Sequence, residues 1–126
     1  MYNVIMVAAG GAFGAVLRYF VAGFVQRSTI SPFPWGTLTV NLVGCLLIGA
    51  IWAWAQKIDL STAAVAFLLA GVLGSFTTFS TFSFETIDLF QAGHRVMAVT
   101  YICASNILGI GAAWLSYSTI RAWLSV

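Results

Sequence analysis

Four long apolar runs, separated by three short stretches of polar and helix-breaking residues, constrain this chain more than any other feature. They fall at residues 4–25, 37–55, 63–90 and 96–120. A bilayer's hydrocarbon core is about 30 Å thick, and a helix needs about 20 residues to cross it. The 126 residues therefore hold four spans and brief connections, which reads as a single four-helix transmembrane domain. The connections lie at Gln26 to Gly36 with Pro32 and Pro34, at Gln56 to Thr62, and at Gln91 to Arg95 with Gly93. Composition points the same way: 61% of residues are hydrophobic and 6% charged, against about a quarter charged in soluble domains. Mean hydropathy is +1.00. The expected fold class is an all-α integral membrane protein.

Aromatic residues bracket the second run. Trp35 and Trp54 are nineteen residues apart, about 28 Å at helical rise, which suits anchors at both interfaces. Lysine and arginine in short loops normally set orientation. Here the two ends of the bundle tie, with Lys57 and Arg121 on one side and Arg27 and Arg95 on the other. The expectation is a chain able to insert both ways, and an antiparallel homodimer uses both orientations. The small residues Gly10 and Gly14, and Gly109 with Ala113, serve either such a dimer or packing within one chain. A net charge of +2 from scattered residues gives no nucleic-acid footprint. Cys45 and Cys103 read as small packing residues. The N-terminus lacks a basic n-region, so the first helix is expected to be retained.

The informative positions are polar residues at membrane depth. In Gly36-Thr37-Leu38-Thr39-Val40-Asn41, Thr37 and Asn41 share a helix face, and the Asn41 amide brings two donors. Interhelical glue and the lining of an ion's path are both open readings. In Thr77-Thr78-Phe79-Ser80-Thr81-Phe82-Ser83-Phe84-Glu85-Thr86, six hydroxyl residues crowd ten positions. Gly71-Val72-Leu73-Gly74-Ser75 precedes them, and its glycines weaken a helix. A third helix broken near its middle is expected. Such breaks expose carbonyls that suit a cation such as Na+ and helix starts that suit an anion. Phe79 and Phe82 fall on one face, on which Glu85 also falls. Phenyl edges are electropositive, so edge-on rings favour a desolvated anion, although core packing is their ordinary role. Tyr101 and Ser105, one turn apart, together with Asn106, extend a possible track of donors. Such hydroxyls also bond their own backbone. Glu85 is the only acid inside a span, readable as proton carrier, anchor for Thr81, or member of the track. His94 reads as solvated in a loop.

Together, the runs from Gly36 to Asn41 and from Thr77 to Ser83, with Glu85 and Arg18, resemble the small bacterial fluoride channels of the Fluc or CrcB type. The resemblance covers essentially the whole chain. Ser75 departs from it, standing where the second of two glycines is usual, the first matching Gly74. The resemblance implies an antiparallel dual-topology homodimer in the bacterial inner membrane, with two pores built from both subunits, passively exporting fluoride. It implies that Phe79 and Phe82 form a phenylalanine box and that Asn41 donates to fluoride. Ser80, Thr81, Tyr101 and Ser105 would form the polar track, with Glu85, Thr37 and Thr39 along the pathway and Arg18 in the vestibule. The backbone carbonyls of Gly74 and Thr77 would hold a structural Na+ on the dimer axis, and no organic cofactor is implied.

A small dual-topology, proton-coupled drug or cation exchanger is the competing reading, since it shares the length and four spans. That mechanism places a carboxylate within the first helix, where this chain has Arg18 and no acid. No nucleophile and base pair, metal-ligand spacing or phosphate loop is legible, so no enzyme is expected.

Overall fold

The computed structural model describes residues 1–58 and 60–125. Among them every regular element is helical, and four stretches are long and apolar enough to cross a membrane. Helix α1 runs Tyr2–Arg27 and α2 Trp35–Ala55. The third stretch, Thr62–Gln91, is composite. It comprises α3 (Thr62–Val65), a π-helical segment (Ala66–Leu73), α4 (Gly74–Phe76) and α5 (Phe79–Gln91). Helix α6, Arg95–Leu124, completes the chain's helices.

Local chemistry accounts for the ends. Pro34 precedes Trp35 at the start of α2, where a missing backbone N–H costs nothing. Gly93, at φ 83°, lets the chain turn after α5: its N–H donates to Phe90 O and that of His94 to Leu89 O. This pair of bonds satisfies carbonyls that a helix end leaves open.

Close packing runs through glycines. Gly10 and Gly14 are the buried residues of α1, and both face the third stretch of the same chain. A Cβ on Gly10 would lie 3.1 Å from Gly71 Cα, and one on Gly14 would strike the Val72 backbone. The Gly10 and Gly14 pair thus serves packing within one chain. Gly49 of α2 meets Ala113 of α6 in the same manner. Where lipid and protein are equally apolar, such close approach is what holds helices together. Elsewhere α1 exposes an apolar surface that includes Phe13, Phe20 and Phe24.

The glycines were expected to make the break, and the structure assigns them differently. Gly71 packs against α1, while Gly74 is helical at φ −61°, ψ −29°. The chain leaves the helix at Thr77 (φ −86°, ψ 159°) and Thr78 (φ −151°, ψ 121°). Thr78 then caps the restart at α5, its Oγ1 accepting from Thr81 N at 3.2 Å. The π-helical widening ahead of the break has no counterpart in the sequence reading.

Candidate ion pathway

Thr77 and Thr78 interrupt a membrane-length helix, so their backbone groups must find partners outside the helical ladder. Asn41 of α2 supplies both for Thr78. Its Nδ2 donates to Thr78 O at 3.1 Å, and its Oδ1 accepts from Thr78 N at 2.8 Å. The side-chain amide thus stands in for a neighbouring backbone. One of the two Asn41 amide hydrogens is left after this clamp.

The clamp changes the bonding on the other side of the break. In a continuous helix Thr78 N would donate to Gly74 O, and Thr81 N to Thr77 O. Here Thr78 N goes to Asn41 and Thr81 N to Thr78 Oγ1. The carbonyls of Gly74 and Thr77 thereby lose their helical donors. Both residues line an open groove of about 300 Å³, together with Asn41, Gly44, Thr78 and Phe79.

The hydroxyl residues divide into two groups. Thr77, Ser83 and Thr86 donate to the carbonyls of Leu73, Phe79 and Phe82, one turn back. Thr78, Ser80 and Thr81 instead form a cluster at the start of α5. Thr78 Oγ1 donates to Thr81 Oγ1 at 3.0 Å and lies 3.3 Å from Ser80 Oγ.

Further along α5, Glu85 reaches two other helices. Its Oε1 accepts from Thr37 Oγ1 of α2 and its Oε2 from Tyr101 OH of α6, each at 2.8 Å. Tyr101 is fully buried and Thr37 nearly so, which makes this triad a fixed polar tie inside an apolar bundle. The Thr81 anchor considered for Glu85 is not among its bonds; Thr81 pairs with Thr78.

A second open cavity, of about 520 Å³, lies on this side of the break. Arg18, Gln26, Arg27, Thr37, Thr81 and Glu85 line it, and so does Thr78. Thr78 therefore borders both cavities. The phenylalanines also divide. Phe82 is buried against Tyr101, with ring centroids 5.0 Å apart, while Phe79 is 76% exposed beside the groove. The two rings still touch, at a centroid separation of 5.4 Å and an interplanar angle of 45°.

Of the residues singled out from sequence, Asn41, Thr77, Ser80, Thr81, Phe79 and Phe82 gather at the break, and Gly74 lines its groove. Arg18, Thr37 and Glu85 gather in the second cavity, with Tyr101 bonded to its carboxylate. Thr39 lines neither cavity. Ser105 Oγ is buried without a hydrogen-bond partner among the described residues. Three contributors were missed. Thr78 was quoted only as part of its run, although a threonine three residues before Thr81 is a capping signal. Arg27 was counted as loop charge. Gln26 pins the first loop to the start of α2, donating to Phe33 O at 3.2 Å and accepting from Gly36 N at 3.0 Å.

Comparison with known proteins gives the family. Residues 5–117 match the family model described as CrcB-like protein, Camphor Resistance (CrcB). A Rhizobium johnstonii protein named fluoride-specific ion channel FluC is 46% identical over 123 residues, covering 97% of this chain and 98% of its own. Proteins of the same name from Parabacteroides distasonis and Leptospira interrogans are 43% and 42% identical, covering 91% and 94% of this chain and 90% and 94% of their own. With four membrane-length helices and matches over nearly its full length, this multi-pass chain belongs to the CrcB family.

Proposed function

We propose that the chain forms a fluoride-selective channel that passively exports the ion across the bacterial inner membrane. The observation that carries this reading is the break at Thr77 and Thr78, where hydroxyls, an amide and a phenyl ring meet between two open cavities. Relatives named as fluoride channels supply the identity of the ion. Fluoride is small and strongly hydrated, so it crosses only where replacement donors stand close. Asn41 has an amide hydrogen to offer, Ser80 and Thr81 have hydroxyls, and the edges of Phe79 and Phe82 carry partial positive charge. None of these is a full cation, so binding stays weak enough for release. Arg18 and Arg27 in the wider cavity raise the local anion concentration at its mouth. Thr37, Glu85, Tyr101 and Ser105 would continue the polar track, with Thr39 further from it.

One chain leaves the pathway open on the groove side. Non-helical backbone is tolerated at bilayer depth only against protein or water, and Phe79 stands exposed beside it. An inverted second copy would cover them and give two pores per antiparallel homodimer, a geometry that the balanced loop charges permit. The carbonyls of Gly74 and Thr77, stripped of helical donors, are hard oxygen ligands of the kind Na+ takes. There the ion would hold the two copies together as a structural charge.

Fluoride efflux from liposomes, followed with an ion-selective electrode, tests the reading. Fast efflux uncoupled from protons, with chloride retained, and its loss in Phe82→Ile are expected. Proton-coupled movement of organic cations without fluoride efflux would overturn it.

A further inference from the structure

Away from the pathway, the C-terminal ends of α2 and α6 enclose a separate open cavity of about 220 Å³. These helices run side by side, joined where Gly49 meets Ala113 and where Ser116 Oγ donates to Leu46 O at 2.7 Å. The cavity has an apolar floor, Ala53 and Leu124, and a polar rim, Gln56, Lys57, Arg121 and Ser125. Two cations share it, Lys57 just beyond α2 and Arg121 within α6, and no described lining residue is acidic.

The arginine is held in place. Its Nη1 donates to Tyr117 OH at 3.0 Å, and its guanidinium lies 5.9 Å from the centroid of that ring. Tyr117 OH donates in turn to Gln56 Oε1 at 3.3 Å, tying the rim of α2 to that of α6. Among the described residues only one of the five guanidinium donors is used in this way, so the fork keeps donors for an oxyanion.

Depth identifies the anion. Trp52 and Trp54 near the end of α2, and Trp123 near the end of α6, are half or more exposed, as expected of side chains at the boundary between hydrocarbon and headgroups. An apolar groove on the same helix pair, lined by Ala50, Ile51, Trp54, Ile120 and Trp123, offers a surface for acyl chain. The oxyanion found at this level of a bilayer is the phospholipid phosphate, and a rim of net positive charge favours a headgroup of net negative charge.

We propose that the cavity between the C-terminal ends of α2 and α6 binds the phosphate of an anionic phospholipid, gripped by Arg121 and Lys57. The site shares no residue with the ion pathway, so it stands or falls independently of fluoride conduction.

Native mass spectrometry of the purified protein in detergent, titrated with phosphatidylglycerol or phosphatidylcholine, tests it. Tighter binding of phosphatidylglycerol is expected. Lys57→Gln and Arg121→Gln should each weaken it about fivefold, and the double variant about 25-fold, from about 1 kcal/mol per basic residue. Arg121→Lys keeps the charge and should retain most of the affinity. Arg95→Gln, which removes a charge at the opposite end of the bundle, should leave it unchanged. Helix content and monodispersity confirm that each variant is folded, and Lys57→Gln alone decides the matter if the Arg121 variants fail. Wild-type affinity in the folded Lys57→Gln and double variants would overturn the proposal. So would equal weakening by Arg95→Gln, or displacement of the lipid by an equal concentration of inorganic phosphate.

Discussion

Replacing Asn41 by aspartate separates the structural role of this side chain from its role toward a passing anion. Aspartate is nearly isosteric and keeps the acceptor for Thr78 N, a bond of 2.8 Å that charge would strengthen. It loses the donor to Thr78 O and sets an oxygen against that carbonyl at about the present 3.1 Å. One ordinary hydrogen bond is about 1 kcal/mol, and an unsatisfied buried carbonyl about 1–3 kcal/mol. The break should therefore survive at a modest loss of stability. The effect on an anion is larger. Two unit charges 4 Å apart repel by about 4 kcal/mol at an effective dielectric constant of 20, which corresponds to a fall of about a thousandfold in occupancy. The assay is fluoride efflux from liposomes at neutral pH, normalised to incorporated protein, with thermal unfolding in detergent as the measure of fold. Near-normal melting with efflux reduced to background is expected. Efflux within a factor of three of wild type, in protein that melts normally, would place Asn41 outside the pathway and refute the reasoning.

Two further substitutions probe the frame around the site. Tyr101→Phe keeps the fully buried ring but removes the donor to Glu85 Oε2. A cost of about 1–3 kcal/mol is expected, from leaving that oxygen unpaired, read as a lower midpoint of thermal unfolding; an unchanged midpoint would show the triad to be energetically idle. Gly14→Val places side-chain atoms against the Val72 backbone. Overpacking of this kind costs about 1–3 kcal/mol or more, so poor yield and early melting are expected, whereas Gly11→Ala, facing only the Ser75 hydroxyl, should be mild.

The apolar runs made the helices legible because bilayer thickness and helical rise leave little freedom. The tryptophans and prolines confirmed where the ends fall. The break was legible as an event but not in its cause. Glycine weakens a helix wherever it stands, and nothing local told whether Gly71 would bend the chain or admit a neighbour to its backbone. It admits α1. The hydroxyl residues raised the same difficulty. Thr77 and Thr78 are adjacent and chemically identical, yet one bonds back to Leu73 and the other caps α5. Which does which depends on Asn41, 37 residues away, a pairing that no window along the chain contains. Glu85 was legible as unusual by its charge alone, while its partners Thr37 and Tyr101 lie on helices that only tertiary packing brings together.

The clamp on Thr78 also bears on the order of events during synthesis. Helices enter a bilayer one by one and associate afterwards. An isolated third stretch would meet lipid with the Thr78 N–H and C=O unpaired, each at several kcal/mol, and would close into a continuous helix to satisfy them. It can open only when α2 is already alongside to receive both groups. On this reasoning the segment supplies the tendency to break and docking completes it, and any change that delays the meeting of α2 with its neighbour should accumulate a straight, closed intermediate.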